Sequence, residues 1–291
     1  MPEGHVVHVD ARRFTEQMAG RRVRASSPQG RFEAGAAALD GRTLTRAEAY
    51  GKNLFLRFSV PRAGSGALGD SALPWLHVHL GLIGGWRWYA GDGTQTAGRR
   101  LRGADGTNRR LVVASGRGRS AVSADLRGAI TCALLDDGGL DRVTERLGPD
   151  PLRDDADPDR ALARLRRSRA PLGTLLLRQD VVSGAGLIWR CEAPFLAGVA
   201  PQRPGKDVDE HEWSALWGHL VAMMEAAVER GGAEVSTRPD DRPSGPGRVL
   251  REHAFYLFRR GGEPCRVCGT TIRAESMGGR SVWWCPTCQP A

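Results

Sequence analysis

The stretch Cys265-Arg266-Val267-Cys268 is followed, after sixteen intervening residues, by a second pair in Cys285-Pro286-Thr287-Cys288. Two Cys-x2-Cys pairs at this separation are typical of a tetrahedral site in which four thiolates hold one zinc ion. The segment 269–284 between them is long enough for a β-hairpin. Two disulfides are the alternative, but nothing else in the sequence points to secretion. We therefore expect one structural zinc ion, bound by Cys265, Cys268, Cys285 and Cys288.

The charge balance favours an anionic partner. The chain has 291 residues, with 42 basic against 33 acidic residues and a formal net charge of +9. This excess favours nucleic acid, although a solvated basic surface would give the same count. All but two of the basic residues are arginines, and the exceptions are Lys52 and Lys206. An arginine cannot replace an amine that must lose a proton, so the two lysines are candidates for chemistry.

Targeting signals and membrane spans are not evident. No basic, apolar leader opens the chain, and no segment is long enough to cross a membrane. Only Cys132 and Cys191 lie outside the quartet, too few for a disulfide scaffold. We expect a cytoplasmic protein.

The pattern along the chain predicts an α+β protein. A helix is expected over 5–18, followed from Arg22 to about Leu135 by short strands between glycines, which suits a β-sandwich or barrel. The strands are expected at 54–58, 75–80, 86–89, 111–114 and 129–134, with loops at 64–71 and 91–108. Beyond Gly139 the pattern turns helical, with helices expected at 158–168, 172–182, 187–196 and 209–230. The resulting domains are a β-sandwich over 1–138, a helical domain over 139–232, a linker over 233–252 and the zinc finger over 253–291.

Two features of the C-terminal half suit nucleic acid. Gly184-Ala185-Gly186 opens a helix, where backbone N–H groups can bind a phosphate, although an ordinary helix–helix turn explains it equally well. Arg273 and Arg280 lie between the two cysteine pairs, with Arg280 near the expected hairpin tip or on the returning strand. An arginine on a zinc-stiffened hairpin can clamp a phosphate, and an idle solvated arginine is the alternative.

Several segments, in this order, resemble the Fpg/Nei family of DNA glycosylases, and most closely its actinobacterial endonuclease VIII-like branch. The resemblance covers nearly the whole chain. It is carried by Pro2-Glu3-Gly4-His5, Gly51-Lys52-Asn53-Leu54-Phe55, His77-Val78-His79-Leu80-Gly81-Leu82, Leu147-Gly148-Pro149-Asp150-Pro151-Leu152, the helix–two-turn–helix element Leu176 to Phe195, and the zinc finger Gly262 to Gln289. It implies a bacterial base-excision repair enzyme, monomeric and nucleoid-associated, with a catalytic β-sandwich, a DNA-binding helix–two-turn–helix domain and a zinc-finger hairpin.

The resemblance implies that the amine of Pro2 is the nucleophile once Met1 is removed. Attack on C1′ of the sugar gives an iminium ion, from which β- and δ-elimination nick the strand. Glu3 is the implied general acid and base, and Lys52 the implied phosphate contact. A disordered terminus without function is the alternative for Pro2 and Glu3.

Leu82 resembles the family's void-filling residue, which replaces a flipped nucleotide in the stack. A core leucine is an equal alternative. The endonuclease VIII-like branch implies oxidised pyrimidines and abasic sites as substrates.

The pattern departs from the family at the turn. Leu187 stands where the family has asparagine, Trp189 where tyrosine is common, and Asn53 where histidine is frequent. These differences favour altered DNA engagement, for a bulky adduct, an unusual lesion or single-stranded DNA, although neighbouring N–H groups could compensate. The alternatives to a bifunctional DNA glycosylase/AP lyase are a non-catalytic lesion binder on the same fold and a zinc-ribbon accessory protein.

Overall fold

The structure is a computed structural model that describes residues 2–59, 75–98, 108–242 and 249–290. Two compact units divide the chain between residues 145 and 146, except that Glu3–His5 belongs to the second unit. The predicted loop at 64–71 lies outside the described residues, as do 99–107 of the second predicted loop and 243–248 of the predicted linker. The predicted domain bounds therefore stay predictions.

The described residues of the first unit form two antiparallel sheets and three α-helices. Its five-stranded sheet has the order β1-β7-β8-β5-β6, and its four-stranded sheet the order β2-β3-β4-β9. The elements are α1 (Gly4–Met18), β1 (Val23–Ser26), α2 (Glu33–Leu39), β2 (Leu44–Tyr50), β3 (Asn53–Phe58), β4 (Trp75–His79), β5 (Gly85–Ala90), β6 (Gln95–Ala97), β7 (Leu111–Ser115), β8 (Val122–Arg127), β9 (Thr131–Leu135) and α3 (Asp137–Thr144). The predicted β-sandwich and first helix are confirmed.

Alternation explains how these sheets bury one face. Along β5 the inward side chains Trp86 and Trp88 are buried. They meet Phe14 of α1 edge to face, with ring centroids 4.9 and 4.6 Å apart. Burying such a ring contributes about 2–3 kcal/mol, so this aromatic group fixes α1 on the sheet.

One prediction in this unit is wrong. The sequence reasoning expected only strands between Arg22 and Leu135, but residues 33–39 form α2. Its Glu-Ala-Gly-Ala-Ala-Ala-Leu sequence is rich in alanine, the best helix former, and it buries Ala36 and Leu39.

The second unit is helical and ends in the zinc-finger hairpin. Its helices are α4 (Pro158–Arg166), α5 (Leu172–Leu175), α6 (Trp189–Leu196) and α7 (Glu210–Glu229). The predicted capping box is present, since Asp209 and Glu212 each accept the other's backbone N–H. The predicted helix over 172–182 ends at Leu175, and tight turns with i→i−3 hydrogen bonds follow at Leu177 and Arg178. This prediction was wrong because the apolar residues there are buried without being helical. Val181 and Val182 are both buried, and valine is a poor helix former.

The cysteine pairs flank a two-stranded antiparallel hairpin, as predicted. Its strands are β10 (Arg273–Met277) and β11 (Arg280–Trp284), with Met277 paired to Arg280 across the turn. The two residues of the turn, Gly278 and Gly279, have φ of 62° and 72°, the values that a tight two-residue hairpin turn requires. Within the described parts of the chain, no helix is long and apolar enough to cross a membrane.

Candidate active site and nucleic-acid interface

The carboxylate of Glu3 lies at the start of α6. Glu3 is 1% exposed, and its Oε1 accepts a hydrogen bond of 2.9 Å from the backbone N–H of Ile188. The first N–H groups of a helix carry partial positive charge and favour a negative group. The fold therefore holds this carboxylate by a helix N-terminus, one residue from Pro2, which is also buried.

The glycine turn before α6 makes room for Glu3. A Cβ atom added to Gly186 would lie 2.5 Å from Cδ of Glu3, so any side chain there would displace the carboxylate. Gly184 has φ of 94°, donates its N–H to Oε1 of Gln179 and accepts the N–H of Gly4 at 2.8 Å. The predicted contact of this turn with a phosphate stays a prediction.

His5, two residues after Glu3, also contacts the start of α6. His5 is fully buried, its Nδ1 accepts the indole N–H of Trp189 at 3.1 Å, and its Nε2 lies 3.4 Å from Oε1 of Glu234. An indole can only donate, so Nδ1 must carry no proton and the neutral ring holds its proton on Nε2, facing the carboxylate. Burial acts to raise the pKa of Glu234, but its hydrogen bonds and charge interactions, foremost those with His5, together outweigh burial, and the pKa lies below its ordinary value.

Sequence reasoning missed the role of His5. His5 belongs to the N-terminal motif, but nothing in the sequence links it to Trp189, 184 residues further along. The change from tyrosine to tryptophan at this position was the available signal, since a donor-only side chain requires an acceptor.

In the first unit, Lys52 lies in the turn between β2 and β3, half-buried and close to His79 of β4. Burial and the charge of Lys52 lower the pKa of His79. Asn53 pairs with His77, its Oδ1 lying 2.9 Å from Nε2. Burial lowers the pKa of His77 to about 4, so this ring is neutral near pH 7. His79, which pairs with Asn53 across the two strands and lies near Lys52, is an interface candidate that the sequence alone does not single out.

Leu82 lies in the turn between β4 and β5 and is 60% exposed. The alternative of a core leucine is therefore wrong, because a core side chain would be withdrawn from solvent. Its exposure leaves the side chain available to enter a duplex.

The four cysteine sulfurs form a compact cluster in the second unit. All four Sγ atoms lie within 4.8 Å of one another, with Cys265 and Cys288 separated by 3.9 Å and Cys268 and Cys285 by 3.4 Å. Tetrahedral coordination with bonds of about 2.3 Å places sulfurs about 3.8 Å apart. The cluster therefore fits one metal ion.

Arg190 of α6 hydrogen-bonds to this hairpin. Helix α6 itself begins just after the glycine turn that packs against Glu3. Its buried guanidinium donates to the carbonyls of Gly173, Met277, Arg280 and Ser281 at 2.6–3.1 Å. Arg280 is the first residue of β11, immediately after the hairpin turn, and its side chain is exposed. Arg273 lies at the other end of the hairpin, opposite Trp284, and is also exposed.

Comparison with known families assigns three segments of the chain. Residues 1–131 match the formamidopyrimidine-DNA glycosylase N-terminal domain, residues 147–239 the formamidopyrimidine-DNA glycosylase H2TH domain, and residues 262–291 a zinc finger found in FPG and IleRS. The chain is 42% identical over 289 residues to the protein named endonuclease 8 1 of Mycobacterium tuberculosis, covering 99% of this chain and 100% of that one. The chain belongs to the Fpg/endonuclease VIII family of DNA glycosylases. The predicted family and enzyme class are confirmed.

Other relatives agree with this placement. The formamidopyrimidine-DNA glycosylase of Corynebacterium jeikeium is 31% identical over 303 residues, covering 99% of this chain and 100% of that one. Among solved structures, Lactococcus lactis Fpg bound to DNA with an oxidised pyrimidine matches with a TM-score of 0.74 at 21% identity, over 100% of both chains. Lactococcus lactis Fpg bound to abasic-site DNA matches with a TM-score of 0.72 at 22% identity, over 99% and 100% of the two chains. At these identities the structural matches support the fold.

Within the second unit the structure brings together Glu3, Gly184, Gly186 and, through Arg190, the hairpin tip with Arg280. Pro2, Lys52 and Leu82 belong to the first unit. The four cysteines form the predicted cluster, and Arg273 lies at the base of the hairpin.

Proposed function

We propose that this glycosylase is bifunctional, removing a damaged base and nicking the strand through the amine of Pro2. The observation that carries the proposal is the buried carboxylate of Glu3, held by the N–H of Ile188 one residue from that amine. A buried acidic group in a fixed position, next to a secondary amine, is what imine chemistry on a sugar requires.

The reaction follows from these two groups. The lone pair of the Pro2 nitrogen forms a bond to C1′ while the bond from C1′ to the base breaks. The base leaves with the electron pair of the broken bond and takes up the proton that the Pro2 nitrogen loses on becoming a tertiary amine. The bond between C1′ and O4′ then opens, Glu3 gives O4′ a proton, and an iminium ion remains. The iminium makes the C2′ proton acidic, so its removal expels the 3′ phosphate, and a second elimination expels the 5′ phosphate. Water then hydrolyses the iminium and frees the amine.

DNA contacts are assigned to the exposed and cationic groups. Lys52 and Arg280 hold phosphates near the lesion, with support from Arg273 and from the turn at Gly184 and Gly186. Leu82 fills the position of the flipped nucleotide. The cysteine cluster holds one structural zinc ion, which stiffens the hairpin that carries Arg280.

For substrates we propose oxidised pyrimidines and abasic sites. The mycobacterial relative named endonuclease 8 1, which is 42% identical to this chain, supports this choice, because its name places it in the endonuclease VIII-like branch.

Incision of end-labelled duplexes tests the proposal. Duplexes with an abasic site or an oxidised pyrimidine should be cut to products with phosphate on both flanking ends, whereas an 8-oxoguanine duplex should be cut more slowly. Binding without any cut product would contradict the catalytic proposal and favour a lesion-binding protein.

Leu187 is the one residue of 181–195 that is not buried, so it faces the outside of the turn. We propose that this leucine weakens phosphate contact, since it offers no donor where a hydrogen bond to a charged group is worth about 1.5–3 kcal/mol. Leu187→Asn should then tighten binding to abasic-site DNA by roughly tenfold or more. Unchanged affinity would mean that neighbouring backbone groups already compensate.

A further inference from the structure

Arg259 has a backbone conformation that an arginine rarely adopts. Its φ is 61°, and among the residues that the structure describes it is the one residue other than glycine with a positive φ. The N–H of Arg260 donates to the carbonyl of Leu257 at 2.9 Å, so residues 257–260 form a β-turn in which Arg259 is the third residue. A positive φ at the third position favours glycine or asparagine. An arginine there costs stability, and backbone strain of this kind is concentrated at functional sites.

Contacts with two elements hold this turn in its strained conformation. The backbone N–H groups of Leu257 and Phe258 donate to Oε1 of Glu192 in α6 at 3.0 and 2.7 Å. The ring of Phe258 also packs edge to face on Trp283 of β11, with the ring centroids 5.3 Å apart. Because α6 and β11 both bind the turn, the surrounding structure determines the positive φ of Arg259.

The guanidinium of Arg259 is exposed and lies over the ring of Phe258. Its Cζ atom is 5.2 Å from the ring centroid, within the range of a cation–π contact. In the part of the chain that the structure describes, no carboxylate pairs with this guanidinium and no group accepts a hydrogen bond from it. A contact with a ring face uses none of the N–H donors of a guanidinium. These donors are therefore available to a ligand.

Arg260, the next residue, shows the opposite arrangement. It is 7% exposed, and its guanidinium donates to Oε2 of Glu263 and to the carbonyls of Tyr256 and Pro264 at 2.6–2.8 Å. Its charge and its donors are therefore used inside the protein. The two neighbouring arginines have different roles, since Arg260 holds the segment in place and Arg259 presents its donors to solvent.

Helix α6 links the turn of Arg259 to the carboxylate of Glu3. The N–H of Ile188, at the start of this helix, binds Glu3, and Glu192, four residues further along, binds the turn. Four residues correspond to about one helical turn, a rise of roughly 6 Å. The carboxylate and the turn are therefore attached to neighbouring turns of the same helix, which places Arg259 beside the proposed site of sugar chemistry.

We propose that Arg259 binds a backbone phosphate of the DNA and fixes the position of the duplex at this site. The inference rests on the proposed function and deepens it, because it assigns a further DNA contact to the same site. A guanidinium whose face is covered by an aromatic ring presents its N–H edge, which can bind two phosphate oxygens at once. Phosphate contacts position a duplex but carry no sequence information. This contact should therefore be independent of the base opposite the lesion.

The salt dependence of binding tests this contact. The probe is a duplex that carries a tetrahydrofuran abasic analogue, which cannot be cleaved, with A, C, G or T opposite the analogue. Arg259→Gly should weaken binding by roughly tenfold or more, by the same factor for all four opposite bases. The slope of the logarithm of the binding constant against the logarithm of the salt concentration should become shallower by about 0.9, the value for one phosphate contact.

Arg166→Ala is the matched control for net charge. It removes the same charge from an exposed arginine that is already paired with Glu210 at 3.3 Å, so the salt slope should stay that of the wild type. An unchanged slope in Arg259→Gly, or an equal change in Arg166→Ala, would overturn the inference. Factors that differ more than about tenfold among the four opposite bases would also overturn it, because they would indicate a contact with a base edge.

Urea unfolding separates this role from a purely structural one. Arg259→Gly should unfold at a higher urea concentration than Arg259→Ala, because only glycine adopts a positive φ without strain. Both variants should weaken DNA binding equally, since both lack the guanidinium. If binding followed stability, so that Arg259→Gly bound DNA like the wild type and only Arg259→Ala lost affinity, Arg259 would be a structural residue and the inference would be wrong.

The outcome for this contact is distinct from the outcome for the proposed chemistry, because no arm of the test requires catalysis. Binding that depends on Arg259 without any incision of abasic DNA would support the contact and contradict the chemistry. Failure of the wild type to bind the duplex would overturn both.

Discussion

Gly186 and Glu3 are packed so closely that a single methyl group on the glycine would lie 2.5 Å from Cδ of the carboxylate. Gly186→Ala should therefore move Glu3 away from the N–H of Ile188. A displacement of about 1 Å in a catalytic group can cost on the order of a hundredfold in rate, and we expect a loss of that size in single-turnover incision of abasic DNA.

Gly218→Ala is the matched control, because an added Cβ at that position in α7 meets no atom within 4 Å other than the helix's own neighbouring backbone. Both variants should retain bound zinc. Full activity of Gly186→Ala would mean that the observed position of Glu3 is not the one used in catalysis.

Trp189 determines which nitrogen of His5 is protonated. Trp189→Phe removes the donor and leaves a buried acceptor unsatisfied, which should lower the free energy of unfolding in urea by about 1–3 kcal/mol. Nitrogen-15 NMR of the imidazole should also lose the signature of a ring protonated on Nε2.

Trp217→Phe serves as the control, since this half-buried indole packs against Trp213 at 5.7 Å between ring centroids and is not part of the His5 network. If the His5 tautomer were unchanged in Trp189→Phe, Glu234 alone would determine it.

Arg190 should determine how rigidly the hairpin turn is held. Lysine keeps the charge, but one ammonium group cannot reach the four carbonyls that the guanidinium binds. Arg190→Lys should therefore lower the free energy of unfolding by about 1–3 kcal/mol and speed amide hydrogen exchange at 276–281. Arg169→Lys, at an exposed position, should change neither. If amide exchange at 276–281 were equally slow in Arg190→Lys and Arg169→Lys, zinc alone would hold the hairpin.

Asp10 makes stability depend on pH. Burial in α1 raises its pKa to about 7, whereas an unfolded chain has a value of about 3.9. The folded state thus binds the proton more tightly than the unfolded state does. The free energy of unfolding therefore falls as the pH rises from the pKa of the unfolded chain to the pKa of the folded protein. Because of this group, the free energy of unfolding should fall by roughly 2–3 kcal/mol between pH 5 and pH 8.

Asp10→Asn should remove that dependence and unfold at a higher temperature than the wild type at pH 8, with a smaller difference at pH 5. Asp154→Asn, at an exposed position, should follow the wild type throughout. Parallel profiles for wild type and Asp10→Asn would show that the buried carboxyl does not titrate in this range.

The fold could be predicted from the sequence because the patterns that decide it are local. Cys265 to Cys288 predicted the hairpin and the metal cluster, and Asp209 with Glu212 predicted the start of α7, since spacing alone determines both. Alternation predicted the strands for the same reason.

The missed features depend on contacts between distant positions. Neither the pairing of His5 with Trp189 nor the four carbonyls around Arg190 has a sequence pattern. The close packing of Gly186 against Glu3 also has no sequence pattern, because the glycines around it are equally consistent with an ordinary turn. The exposure of Leu82 could not be predicted either, because a lone leucine in the sequence does not show whether its side chain is buried or exposed.

Borohydride trapping on abasic-site DNA tests the central claim most directly. Wild-type protein beginning at Pro2 should form a covalent adduct that peptide mapping assigns to the Pro2 nitrogen. A form that retains a residue before Pro2 should form none, although it still binds the duplex. An adduct of equal yield from the extended form, or one mapped to Lys52, would contradict the account and identify another amine as the nucleophile.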